Sequence, residues 1–242
     1  MHHEQALKQE VRNFWDREAC GERYGDDQDR LRYELEPEIA AFADFGSTAG
    51  LRVLEIGVGM GSDSVRFAEA GALLTGIDLT DRAVGITRER LSVRGLRADI
   101  RVADAEALPF ADSSFDVVYS WGVLHHTPNT PRALLEAERV LALGGRLKVM
   151  LYHRRSWVAF GAWARFGLMR GRPTYSIRQA VAHIESPGTQ AFVKSEVIAM
   201  LPGMRELSVV SRVTAWDRKF VPGLSTIGGD RLGWFLLASG TK

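Results

Sequence analysis

Cysteine is nearly missing from this chain. Cys20 stands alone among 242 residues, which excludes an internal disulfide and any zinc site built on paired thiolates, so a reducing compartment is expected and no metal site is. An excess of charge of one sign is missing too. The 31 Lys and Arg against 30 Asp and Glu give no global pull toward nucleic acid, and only a local patch would supply one. Proline is scarce, at eight, and no tract is of low complexity, which excludes a disordered chain. Long hydrophobic runs are absent as well. No segment offers the roughly 18 uninterrupted apolar residues of a membrane span, and the start, MHHEQALKQEVRNFW, lacks the apolar centre of a signal peptide. These absences predict a cytoplasmic protein with no nucleic-acid partner and no stable membrane association. His2 and His3 are either native or the remnant of a tag and carry no weight.

What is present is a globular composition, 45% apolar, in a length that an α/β fold commonly occupies as one domain. From Leu51 onward short apolar runs alternate with helical patterns. RVLEIG reads as a buried strand followed by a helix over 62–70, and LLTGID as a second strand followed by a helix over 81–94. DIRVADA gives a short strand and FDVVYS a strong one. A helix over 131–141 and a strand at GRLKVMLY follow. Such alternation predicts a parallel, doubly wound sheet with right-handed crossovers. Two more strands, near 207–214 and 232–238, close it after a helix over 194–201. The expected organisation is a single domain. A helical N-terminal lid (1–50) precedes a Rossmann-like core (51–153); a helical cap insertion (154–192) and the last part of the core sheet (193–242) follow.

The loop in VLEIGVGMGSDS raises the question of what it holds. A strand-to-helix loop at the carboxyl edge of such a sheet is where the fold places its ligand. The dinucleotide fingerprint asks for glycine at the first, third and sixth positions. Counted from Gly57, this loop has Gly57, Gly59 and Gly61, and the sixth position is Ser62. Asp63 then opens the helix, where a phosphate would otherwise gain from the positive helix end. No lysine followed by serine or threonine is present, as a nucleotide-triphosphate loop requires. A nicotinamide dehydrogenase is disfavoured on the same residues.

VLEIGVGMGSDS, GIDLT, VADAEALPFADSSFDVVYSWGVLHHTPN and VLALGGRLKVMLY, in this order and spacing over residues 51–152, resemble the class I S-adenosylmethionine-dependent methyltransferases. They are most similar to the group holding ubiquinone and menaquinone C-methyltransferases and many small-molecule enzymes of bacterial pathways. The resemblance implies an α/β, Rossmann-like, doubly wound seven-stranded sheet of order 3-2-1-4-5-7-6, with the last strand antiparallel. It implies S-adenosyl-L-methionine as cofactor and S-adenosyl-L-homocysteine as product. The residues suit that cofactor on their own chemistry. It carries no phosphate, and its amino group and sulfonium favour oxygen ligands, which Glu55 and the loop offer. Asp78, at the end of the second strand, stands where an acid accepts hydrogen bonds from ribose hydroxyls. By resemblance Leu79 packs on the adenine, Asp104 and Ala105 meet its amino edge, and Ser120 leaves the fourth strand beside the cofactor.

The methyl-presenting edge follows the fourth and fifth strands. His125, His126 and Tyr152 are the candidate catalytic groups, a histidine being a general base poised near neutral pH. Methyl transfer draws chiefly on orientation, so no base is obligatory. Trp121, His153, Arg154, Trp157, Phe160 and Tyr24 are the candidate acceptor contacts, with Tyr33 a further lid contact and Cys20 packing or lid. The segment from Arg154 to His183 carries six arginines and no acid, interleaved with aromatics. Three readings stand: a helix packed by its aromatic stripe with a solvated basic face, a roof over an acceptor whose carboxylate or phosphate an arginine clamps, or a basic helix on anionic membrane. The expected function is methyl transfer to an O, N or C nucleophile of a small, fairly apolar molecule in a bacterial biosynthetic pathway. A lipid-quinone C-methyltransferase and a non-catalytic cofactor-binding module are the alternatives.

Overall fold

In the computed structural model, residues 2–17, 28–223 and 227–242 are described. Three helices lead in: α1 (His2–Arg17), α2 (Gln28–Leu35) and α3 (Glu38–Ala43). The core then alternates as the sequence pattern predicts: β1 (Arg52–Ile56), α4 (Ser62–Glu69), β2 (Leu73–Asp78), α5 (Asp81–Val93), β3 (Asp99–Val102), β4 (Phe115–Trp121), α6 (Thr130–Val140) and β5 (Leu141–Tyr152). The cap holds α7 (Trp157–Phe166) and α8 (Ile177–Val181), and the chain ends through α9 (Lys194–Ala199), β6 (Arg205–Arg212), α10 (Ala215–Phe220) and β7 (Phe235–Thr241).

The seven strands lie in the order β3-β2-β1-β4-β5-β7-β6. β1 pairs in parallel with both β2 and β4, while β7 runs antiparallel to β5 and β6. The winding reverses between β1 and β4, which opens a crevice beyond their carboxyl ends. Covered on both faces, the central strands read as continuous apolar runs. Val53, Val117 and Tyr119 enter the core on one face, and Leu54, Ile56 and Val118 the core on the other, as the two-residue period of a strand requires.

Helix starts follow local chemistry. Thr80 caps α5 by accepting from Ala83 N, Asn129 caps α6 with Pro131 in the first turn, and Ser156 caps α7. Several boundaries shift by one to three residues from expectation, and two of the shifts have a clear local cause. α6 stops at Val140 because Leu141 is already extended, and the last strand begins at Phe235 because residues 229–232 form a 3-10 turn. Gly233 follows that turn pressed on the backbone of β6, so close that a Cβ there would stand 2.0 Å from Arg212 carbonyl. α10 was not anticipated; a capping box between Thr214 and Asp217 starts it.

Candidate active site

The loop after β1 is shaped by positive φ values at Gly57, Gly59 and Gly61 (86°, 51° and 78°), which only glycine adopts without strain. Gly57 meets a second demand, since a Cβ there would lie 2.1 Å from Val123 on the loop after β4. The two loops thus close on each other at the crevice. They line a cleft of about 1070 Å³, its open mouth included, together with Asp78, Leu79, Asp104, Ala105, Trp121 and His126. Gly61 stands behind the wall as the N-cap of α4, with Thr87 against it.

Asp78 is the acid at the centre of the floor. It accepts from Gly59 N at 3.1 Å and from Thr80 N and Oγ at 3.0 and 2.9 Å. Burial pushes its carboxyl above the ordinary value despite those donors. Asp104 accepts from Lys8 Nζ at 2.6 Å, and the same ammonium reaches Glu106 at 2.6 Å. Lys8, Val11 and Trp15 of α1 all line the cleft; spaced i, i+3, i+7, they share one helix face. That face spans about 10 Å, from Asp104 at one end to the His126 ring, 5.3 Å from Trp15, at the other.

Behind the loop lies a buried ionic knot. Asp63 accepts from Arg32, Tyr33 and Tyr119, so the acid at the start of α4 is matched by an arginine that lines the cleft beside it. Glu55 points away from the cleft and accepts from Ser64 Oγ. Burial, then the neighbouring Asp63 charge, raises its carboxyl well above the ordinary glutamate value. Ser120 is likewise turned inward, donating to Ile56 O at 3.0 Å.

At the other end, Trp121 lines the cleft with its indole N–H donated to Glu36 at 2.7 Å. His125 and His126 sit on a 3-10 turn (Leu124–His126). His126 faces the cleft. His125 is fully buried beneath it, its ring tilted against that of Tyr152 with centroids 3.8 Å apart, and burial, then the neighbouring His126, holds its basicity well below the ordinary histidine value. Tyr152 is set behind the wall between His125 and Trp234, and its hydroxyl donates to Glu185 of the cap at 2.7 Å.

The remaining acceptor candidates are not brought to this cleft. His153 gives Nδ1 to Gly233 O. Arg154 pairs with Glu196, as does Arg178, in a separate surface groove. Trp157 donates to Ile227 O, and Phe160 packs edge-on against it. Tyr24 and Cys20 lie outside the described residues. Sequence reasoning missed Lys8, Val11, Trp15, Arg32 and Glu185. The amphipathic spacing of the first three was a usable signal; Glu185 had none.

Comparison with known proteins fits this geometry. Residues 54–149 match the family model described as a methyltransferase domain. A 27-O-demethylrifamycin SV methyltransferase of Amycolatopsis mediterranei is 41% identical over 106 residues, 41% of this chain and 38% of that one. A demethylmenaquinone methyltransferase of Tropheryma whipplei is 39% identical over 121 residues, 50% of each. The chain thus spans half or less of the length of these curated relatives. A phosphoethanolamine N-methyltransferase 2 of Haemonchus contortus, solved with phosphomonomethylethanolamine and S-adenosylhomocysteine, superposes with a TM-score of 0.68. That match covers 96% of this chain and 60% of that one at 17% identity, a likeness of fold. Among the described residues no helix is long and apolar enough to cross a membrane.

Proposed function

Residues 54–149 are a methyltransferase domain of the class I S-adenosylmethionine-dependent type, and from that premise we propose that the chain transfers the methyl group of S-adenosyl-L-methionine to a small, fairly apolar acceptor. The observation that carries the reading is the cleft itself. Its glycine loop approaches without side chains, its central acid is Asp78, and the helix behind it opens on Asp63 paired to Arg32, a pairing that leaves no bare anion site for a phosphate. These groups fit the cofactor: Asp78 would hold ribose hydroxyls, Leu79 and Ala105 the adenine faces, and Asp104 its amino edge. Gly57 and Gly59, with Arg32 nearby, would hold the amino-acid end. The cofactor supplies an electrophilic methyl on a sulfonium.

The chain's own part is binding, orientation and exclusion of water. α1 lies over the cleft as a lid, with Lys8 at the adenine end and Trp15 at the His126 end. Trp121 and His126 form the wall where the acceptor's nucleophile, an O, N or C atom, must be aligned, and alignment of this kind is worth up to about 7–11 kcal/mol. His126 is the proposed base if the nucleophile carries a proton; buried His125 and Tyr152 support its ring from behind. The cap approaches this wall through Glu185 and not through the α7 aromatics. An apolar acceptor from a bacterial biosynthetic pathway agrees with the rifamycin and menaquinone relatives. The test is an assay of methyl-labelled S-adenosylmethionine against a small-molecule extract of bacterial cells, read by mass spectrometry. A labelled product together with S-adenosylhomocysteine is expected. Tight cofactor binding with no label transferred would make the chain a cofactor-binding module instead.

A further inference from the structure

Beneath the acceptor wall, one group has no ordinary explanation. His125 is completely buried, and neither ring nitrogen has a hydrogen-bond partner among the described residues. A buried imidazole left unpaired costs free energy, and a bound ion is among the explanations such a group calls for. Its neighbours are two further metal-ligating side chains. One ligating atom each from His125, His126 and Glu185 lies within 4.8 Å of the other two. We propose that His125, His126 and Glu185 form a divalent-metal site at the acceptor end of the cleft, taking a borderline ion such as Zn²⁺ or Co²⁺.

The geometry carries the assignment in three ways. Three atoms no more than 4.8 Å apart share a centre within about 2.8 Å of each, and ligation at roughly 2.0–2.2 Å asks each to close by well under an ångström. Glu185, with 39% of its side chain exposed, has room to do so. His126 Nε2 and Glu185 Oε2 already stand 3.2 Å apart, close to the edge of a tetrahedron around zinc at those bond lengths. The surroundings also orient the ligands. Thr189 Oγ donates to Ser186 O, which leaves it an acceptor for His126 Nδ1–H at 3.0 Å, and the Nε2 lone pair then faces Glu185. Ser186 Oγ, 2.8 Å from the same Nδ1, serves as a second oxygen there. Tyr152 donates to the Glu185 oxygen. Hydrogen bonds of this kind to ligating imidazole and carboxylate are what hold metal ligands in register. Finally, the loop bearing Glu185 is tied to the histidine turn by Gln190, through its N–H to His125 O and its side chain to Thr127 O.

Two nitrogens and one carboxylate oxygen suit zinc or its neighbours better than magnesium or calcium, and leave at least one coordination position open. Because His126 faces the cleft, that position is where an acceptor oxygen would be polarised and its proton made easier to lose to solvent, and with Nε2 on the ion His126 acts as ligand in place of base; this last consequence alone rests on the methyltransferase reading.

The site is tested with the metal alone. Zn²⁺ is titrated calorimetrically into metal-stripped full-length protein in which His2 and His3 are replaced by alanine, and Co²⁺ is followed by its visible absorption. One Zn²⁺ per chain is expected, with a cobalt spectrum of low coordination number. Glu185→Gln and His126→Gln should each weaken binding at least tenfold, with circular dichroism unchanged. Tyr152→Phe should weaken it about 10-fold or more through the lost hydrogen bond. No saturable binding, or binding that survives both ligand substitutions, overturns the site. S-adenosylhomocysteine is titrated in parallel: its binding without zinc defeats this proposal alone, whereas zinc binding without it defeats the cofactor reading alone.

Discussion

Glu55 lies buried behind the glycine loop, within reach of the Asp63 charge. The sequence offers it as a carboxylate for the cofactor's amino group, yet it lies behind the loop, hydrogen-bonded to Ser64, with its carboxyl raised well above the ordinary value by burial. The consequence is a pH dependence. The ordinary glutamate value is 4.5 and the folded value lies well above it, so between the two the unfolded carboxyl is ionised while the folded one keeps its proton. The stability that this group contributes is complete below about pH 4.5 and is lost as pH rises through the folded value, at up to about 1.4 kcal/mol per unit. Glu55→Gln mimics the protonated form. It is expected to raise the melting temperature at pH 8 and to leave it unchanged near pH 4; equal melting of variant and parent at pH 8 would show that Glu55 folds ionised.

Among the elements, α1 makes the largest addition to what the sequence predicts. The strands and helices of the core are legible because short apolar runs and helical patterns alternate from Leu51 on. The docking of α1 is not, since an amphipathic helix says that it packs and not on what. Lys8 bonding Asp104 and Glu106, Arg12 bonding Asp81, and Trp15 against His126 are all contacts to residues far along the chain. If α1 is the lid, Trp15→Ala should weaken S-adenosylhomocysteine binding about tenfold, about 1.4 kcal/mol, while melting without ligand changes little. Unaltered affinity would make α1 a static cover. The site divides in the same way. Asp78, Leu79, Asp104 and Ala105 reach the cleft because strand ends are fixed by topology. The candidates in the cap, Arg154, Trp157 and Phe160, do not, because nothing in an arginine-rich, aromatic helix says which way it turns. Glu185 became visible only when the fold brought Ser186, 60 residues from His126 in sequence, to hydrogen-bond it.

At the scale of the whole molecule, the sheet order places Asp78, Leu79, Asp104 and Ala105 at one crevice. β1 and β4 supply the two loops that meet through Gly57 and Val123, β2 supplies Asp78, β3 leads to Asp104, and α1 and α2 add Lys8, Val11, Trp15 and Arg32 to the lining. Calorimetry of the full chain with S-adenosylmethionine, S-adenosylhomocysteine, NAD and NADP, repeated for Asp78→Ala, is the most direct measurement. The account predicts binding of the first two and neither dinucleotide. It also predicts a loss of about 1.5–3 kcal/mol in the variant, the worth of hydrogen bonds to a charged group. Binding of NAD or NADP, or an Asp78→Ala protein that holds S-adenosylhomocysteine as tightly as its parent, would contradict it.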